Sequence, residues 1–139
     1  MNRDRLRSLG EAHCYVAIMK ADGHVSRRER LRGPLHARRS HERLAVFGAN
    51  KLLARMVGTD ITAILDDSSF ETWDAERHLN EGIELLRRAA RAGSRGVDIA
   101  ADKLETELYE LAYLDGYDLR ESRFVKRTVE RLRELEQPG

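Results

Sequence analysis

Apolar residues recur every three to four positions along most of the chain, which is the spacing of amphipathic helices. The first such segment extends from about Asp4 to Ala21. Its predicted apolar stripe is Leu6, Leu9, Ala12, Val16 and Met19. No stretch alternates apolar and polar residues long enough to predict a strand. The pattern therefore predicts an all-α fold, a compact bundle of about six to eight helices. Residues 1–139 should form a single domain with a short C-terminal tail at 137–139.

The boundaries of the next helices are predicted from glycine and from capping residues. A helix over 41–57 is expected to stop at Gly58, and residues 59–65 to form one or two separate turns. A loop should follow, in which Ser68-x-x-Glu71 offers a capping box for the next helix.

Three further helices are predicted after this loop. The helix over 70–92 is expected to be interrupted near Asn80 and Gly82. The remaining two helices should cover about 98–114 and 119–136, the second of which contains the apolar residues Phe124, Val125, Val129, Leu132 and Leu135.

Two stretches combine an Asp-Gly pair with a helix-starting sequence. A glycine just past an apolar helical run ends that helix in the left-handed conformation, and Ser or Asp followed three residues later by Glu starts the next helix. The stretches are Ala21-Asp22-Gly23-His24-Val25-Ser26-Arg27-Arg28-Glu29 and Leu114-Asp115-Gly116-Tyr117-Asp118-Leu119-Arg120-Glu121. The chain is thus predicted to contain two helix–Asp-Gly–helix corners.

The two corners resemble those of the TerB-like (tellurite-resistance) family, which includes the N-terminal domain of the co-chaperone DjlA. The resemblance covers the first 31 residues and about 97–135. It implies an all-helical domain with two pseudo-repeated halves, which serves as an accessory or interaction module in stress response. It also implies a divalent cation, Ca²⁺ or Mg²⁺, bound by acidic corner residues. In this sequence those residues are Asp22, Glu29, Asp115 and Glu121.

The residues of the first corner leave a second interpretation open. The corner matches only half of an EF-hand loop, because Ile18 and Lys20 stand where that loop has its first two ligands. An EF-hand is therefore excluded. A cation could still bind if Asp22 and Asp115 approach each other; otherwise both carboxylates accept hydrogen bonds from local backbone or from an arginine.

The net charge of +1 conceals an asymmetry along the chain. Residues 1–55 contain 13 Lys or Arg and five Asp or Glu, whereas residues 56–139 contain 12 basic and 19 acidic residues. Solvated helix faces that attract each other within the fold explain this pattern. The alternative is a small nucleic-acid-binding regulator that uses the arginine-rich region 27–43, against which stands the scarcity of aromatic residues for base stacking.

Motifs of nucleophilic, metal-dependent or nucleotide-dependent enzymes are absent from the sequence, so a non-enzymatic protein is predicted. A metal-dependent hydrolase stays open only if carboxylates converge on a cavity. His13 and Cys14 are adjacent, but a single cysteine without a C-x-x-C partner is a poor start for a zinc site. The residues His36, His41 and His78 lie in polar contexts and are expected to be exposed.

Cellular context is predicted from cysteine content and hydropathy. One cysteine allows no intrachain disulfide, which agrees with a reducing compartment. The sequence has no apolar run of 18 residues and no apolar segment after its N-terminus. We therefore expect a cytoplasmic protein without membrane contact, with a protein partner or a homodimer as its assembly.

Overall fold

The computed structural model describes residues 2–21, 51–93 and 119–134. These ranges are mostly helical and contain no strand, which confirms the all-α class for this part of the chain. The α-helices are Arg3–Met19 (α1), Lys51–Asp66 (α2), Ala75–Arg91 (α3) and Leu119–Glu134 (α4), and a 3₁₀ helix covers Ser68–Phe70. None of these helices is both long and apolar enough to cross a membrane.

Helix α1 is the centre of the described structure. Every residue from Gly10 to Met19 is buried, so the helix is enclosed on all sides and not along the predicted stripe alone. Its main neighbours are α3 and α2. Burial on every face includes polar residues such as Glu11 and His13, and these need partners within the protein.

Helices α1 and α3 are antiparallel and touch through two glycines. A Cβ atom added to Gly82 would lie 2.8 Å from the Gly10 carbonyl oxygen and 2.8 Å from Cys14 Sγ. One added to Gly10 would lie 2.7 Å from Leu86 Cγ. The predicted interruption near Asn80 and Gly82 is wrong, since α3 is continuous there. The glycine serves close helix packing, which offsets its low helix propensity.

The predicted helix stop at Gly58 is wrong. Helix α2 continues through this glycine to Asp66 and includes residues 59–65, which were predicted to form separate turns. Val57, Ile61 and Ile64 are buried in the same core cluster as α1, and their spacing of four and three residues places them on one helical face. Tertiary burial of that face stabilises the helix more than one glycine weakens it.

Asp67 is the N-cap residue of the 3₁₀ helix, and Asp74 is the N-cap residue of α3. The Asp67 side chain accepts a hydrogen bond from the Ser69 amide at 2.9 Å, and Asp74 accepts one from the Arg77 amide at 2.8 Å. Helix α3 therefore begins at Ala75, with Asp74 as its N-cap, and not at residue 70. The predicted box formed by Ser68 and Glu71 is not the helix start.

The C-terminal end of α3 agrees with the predicted helix over 70–92. Gly93 has a φ of 89° and follows the last turn of α3. Helix α4 covers Leu119–Glu134, within the predicted 119–136. Its residues Phe124 and Val129 are buried in the main core cluster.

Candidate functional site

The predicted cation ligands belong almost entirely to parts of the chain outside the described residues. Asp22, Glu29 and Asp115 lie outside them, and so does the basic stretch 27–43. Glu121 lies in the first turn of α4, but the position of its side chain is not described. Among the described residues, no group of three or more His, Cys, Asp or Glu side chains is arranged to hold a metal ion. The corner site stays a prediction.

The described residues instead bring together a cluster that the sequence did not predict. We call it the histidine cluster; its members are His13, Lys20, Phe70, Trp73 and His78. His13 lies on α1 and His78 on α3, where the two helices pack side by side. His13 is 4% exposed and His78 is fully buried. The expectation that His78 is exposed is wrong.

Lys20 is the C-cap residue of α1, and its ammonium group joins that helix to the segment before α3. Its Nζ atom donates to the carbonyl oxygens of Phe70 at 2.9 Å and Trp73 at 3.1 Å. The third neighbour of Nζ is the Nε2 atom of His78, at 3.0 Å. A lysine ammonium has three N–H donors and no acceptor. All three donors of Lys20 are therefore used within the protein.

The charged lysine determines where the protons of both histidines lie. Because Lys20 donates to His78 Nε2, neutral His78 must have its proton on Nδ1. That N–H points at His13 Nδ1, which lies 3.0 Å away and must then accept. His13 is left with its proton on Nε2. The three side chains thus form a chain of hydrogen bonds with one direction, from Lys20 through His78 to His13.

Aromatic rings enclose the histidine pair. The His13 ring is stacked on Trp73 with centroids 5.8 Å apart, and it meets the edge of Phe70 at 5.3 Å. Phe70 and Trp73 contact each other edge to face at 4.7 Å. The Arg77 guanidinium lies over the Trp73 ring, 4.2 Å from its centroid. The two aromatic rings surround the imidazoles with low-polarity surface, and the guanidinium covers the Trp73 ring.

This environment keeps both imidazoles neutral. Burial lowers the pKa of His13 from 6.5 to about 4, which the Asp60 carboxylate opposes and the Lys20 charge reinforces. Burial, followed by the charges of Lys20 and His13, lowers the pKa of His78 to about 3. The pKa of Lys20 is also lowered by burial, while Asp74 and Glu71 favour its charged form.

A second buried polar group lies at the other end of α1. Asp60, on α2, is 2% exposed. Its Oδ1 accepts from Arg5 Nη1 at 2.6 Å, and its Oδ2 accepts from the Ser8 hydroxyl at 2.6 Å. Both carboxylate oxygens therefore have a partner, one of them charged. This group joins α1 to α2, just as the histidine cluster joins α1 to α3.

Cys14 lies between these two groups and is fully buried against Gly82. Burial, with the nearby Glu11 carboxylate, raises the pKa of its thiol to about 12. A thiol that does not ionise is a poor nucleophile and a poor metal ligand. The expectation that His13 and Cys14 form no zinc site stays a prediction.

Replacing Lys20 by methionine should remove the hydrogen bond that fixes the tautomers of His78 and His13. Without the ammonium, His78 Nε2 is free to carry a proton, and two backbone carbonyls lose a charged donor. We expect mixed His78 tautomers in long-range ¹H–¹⁵N spectra and a loss of about 1–3 kcal/mol in unfolding free energy. In the parent chain the same spectra should show His78 protonated on Nδ1 and His13 on Nε2.

Lys126→Met is the matched control, because Lys126 is an exposed lysine on α4. It should keep the parent tautomers and change the unfolding free energy by less than about 0.5 kcal/mol. Parent spectra with the opposite tautomers would contradict the direction of the hydrogen-bond chain.

These polar side chains are better explained by a structural role than by catalysis. Histidine, lysine, aspartate and cysteine are residue types that catalysis uses, yet here the two histidines, Asp60 and Cys14 are buried. The hydrogen bonds of the histidines, Lys20 and Asp60 go to groups within the protein. The spacing of His78, Gly82 and Leu86 by four residues was the available signal for a buried histidine, since it places all three on one helical face. No family model, curated protein or solved structure matches this chain.

Proposed function

We propose that this protein is a non-enzymatic helical interaction module of the TerB-like type, which binds a protein partner in a stress response. We further propose that it holds a Ca²⁺ or Mg²⁺ ion at its acidic corners through Asp22, Glu29, Asp115 and Glu121. The family is proposed from the two corner sequences, and the cation from the oxygen ligands that they offer.

One observation supports the non-enzymatic part of the proposal. All three N–H donors of Lys20 are used inside the protein, and they bond to His78 and to two backbone carbonyls. A general base must reach a proton on its substrate and have a pKa near the working pH. His13 and His78 are buried and have pKa values of about 4 and 3. Their best-supported role is to hold α1 against α3.

The same lysine removes one objection to a cation at the first corner. Lys20 precedes Asp22 by two residues, so its charge would repel a bound ion if it pointed at the corner. Its Nζ atom is instead directed to Phe70, Trp73 and His78. The Lys20 ammonium group is thus bonded to the segment before α3 and to His78 on α3.

Thermal unfolding with added ions tests the cation. The folded state gains RT ln(1 + [L]/Kd), so an ion at 100 times its Kd adds about 2.7 kcal/mol. With few carboxylates, a Kd of about 10⁻⁴–10⁻³ M is expected. We expect Ca²⁺ or Mg²⁺ to raise the melting temperature and a chelator to reverse the change. The double variant Asp22→Asn, Asp115→Asn should lose the response.

Two results would contradict the proposal. If the melting temperature does not respond to either ion, or responds equally in the double variant, these aspartates do not bind a cation. If the parent chain hydrolyses bis-p-nitrophenyl phosphate with Mg²⁺ or Mn²⁺ and the double variant does not, the protein is a metal-dependent hydrolase.

A further inference from the structure

Helices α1 and α3 bring arginines from distant parts of the sequence to one end of the molecule. Arg3 Nη1 donates to the carbonyl of Gly93 at 3.4 Å, so α1 begins where α3 ends. Arg88 and Arg91 lie in the last turn of α3 and are exposed, as is Arg3. We call these three residues the arginine end.

These arginines have no carboxylate partner among the described residues, unlike several other arginines of the described helices. Arg5 pairs with Asp60, Arg87 with Glu84 and Arg127 with Glu76. Among the described residues, no carboxylate lies within ion-pair distance of Arg3, Arg88 or Arg91. Within the described part of the chain, these three charges are not neutralised by an ion pair.

We propose that the arginine end binds an acidic segment of a partner protein. The proposal rests on the proposed function, since it names the kind of partner for the interaction module. Guanidinium groups bind carboxylates through two parallel N–H bonds. Arg88 and Arg91 are one helical turn apart, with Cβ atoms about 5–6 Å apart. Carboxylates one turn apart on a helix, or alternating along an extended segment, match this spacing.

The position of the aromatic residues favours a protein partner over single-stranded nucleic acid. Proteins that bind single strands stack bases on aromatic rings beside their basic residues. The half-buried rings of the described structure, Phe70 and Trp73, lie beside Lys20 at the opposite end of α1. As far as the described residues show, the arginine end offers charge without a stacking ring.

The scaffold holds this surface in place. The backbones of α1 and α3 touch at Gly10 and Gly82, where there is no room for a side chain. Arg3 is further tied to Gly93. Because Arg88 and Arg91 lie on a helix fixed in this way, little backbone ordering is needed when a partner binds.

Fluorescence anisotropy with three labelled probes tests the proposal. The probes are a glutamate-rich peptide, the same peptide with glutamine for every glutamate, and a short DNA duplex. We expect the intact chain to bind the acidic peptide at low salt, to bind the glutamine peptide at least about tenfold more weakly, and to lose binding as salt rises.

A pair of variants with equal changes in net charge locates the binding surface. The double variant Arg88→Gln, Arg91→Gln should weaken acidic-peptide binding about fivefold or more, as expected for two charge contacts of about 0.5–1 kcal/mol each. The control, Arg87→Gln with Arg127→Gln, removes the same charge from paired arginines. It should weaken binding less than about twofold.

Several results would overturn the proposal. Equal weakening by both double variants means that net charge, and not this surface, attracts the peptide. Equal binding of the two peptides excludes carboxylate recognition. Tighter binding of the duplex, lost in the Arg88→Gln, Arg91→Gln variant, assigns this end to nucleic acid. The cation melting experiment and the hydrolysis assay do not depend on these results, so the proposed function can fail or survive separately.

Discussion

Replacing Gly82 by alanine should lower the free energy of unfolding by about 1–2 kcal/mol. The new methyl group would lie 2.8 Å from the carbonyl oxygen of Gly10, a backbone atom that moves only if α1 and α3 separate. Overpacking of this kind typically costs about 1–3 kcal/mol. Alanine raises helix propensity by about 1 kcal/mol, which offsets only part of the cost. Denaturant titration followed by circular dichroism measures the change.

Two comparisons isolate the backbone contact. Arg88→Ala, at an exposed position of the same helix, should change the unfolding free energy by less than about 0.5 kcal/mol. Cys14→Ala combined with Gly82→Ala removes the clash with Sγ but not the clash with the Gly10 carbonyl oxygen. The combined variant should therefore stay destabilised relative to Cys14→Ala. If Gly82→Ala were as stable as the parent, the close approach of the two helices would be wrong.

Local signals predicted the described helices well where burial and propensity agree. The sequence placed the first helix at about 4–21, and the structure gives Arg3–Met19. The last helix was predicted at 119–136 and is described over Leu119–Glu134. Continuous apolar periodicity identifies a helix because the same 3.6-residue repeat places the residues in the core.

Two of the errors in helix boundaries came from glycines. Gly58 was taken as a stop and Gly82 as an interruption, yet both lie inside continuous helices. A glycine weakens an isolated helix, but in a protein most helical stability comes from tertiary packing. For Gly82 the structure supplies the reason, which is contact with α1. That contact involves residues 72 positions away, so no local pattern could reveal it.

The histidine cluster was beyond prediction for the same reason. His13 and His78 are 65 residues apart in the chain, and only the antiparallel packing of their helices brings their Nδ1 atoms to 3.0 Å. In the sequence, Lys20 was notable only because it stands where an EF-hand loop has a ligand. Its three acceptors become visible once the segment containing Phe70 and Trp73 is folded against α1. The predicted corner residues, in contrast, rest on the sequence alone.

Lowering the pH from 6 to 4.5 should destabilise the protein steeply, before most carboxylates are protonated. The pKa values of His13 and His78 are lowered from 6.5 to about 4 and about 3 in the fold. Between these values the unfolded chain binds protons that the folded chain does not, so stability is highest above pH 6.5 and falls with pH. Each histidine contributes about 1.4 kcal/mol per pH unit, so the pair should cost on the order of 2–3 kcal/mol per unit.

The charged groups around the pair do not reverse this sign. Lys20 from α1 and Arg77 from α3 oppose protonation, whereas Asp60 from α2 and Asp74 at the start of α3 favour it. Burial is the largest cause for both histidines, and it acts against the charged form. A second proton on His78 would also lie on Nε2 and would break the hydrogen bond that Lys20 donates to this atom.

The double variant His13→Asn, His78→Gln separates this effect from all other titrations. The glutamine oxygen is able to accept from Lys20 in place of Nε2, and the asparagine oxygen replaces the accepting Nδ1 of His13, but neither side chain ionises. We expect the variant to be less stable than the parent at pH 7.5 and to lose stability more slowly as the pH falls. Denaturant titrations at several pH values give the two curves. Parallel curves between pH 6 and 4.5 would show that the buried histidines are not the source of the acid sensitivity. The same conclusion would follow directly from ¹⁵N spectra in which both imidazoles titrate near pH 6.5 in the folded state.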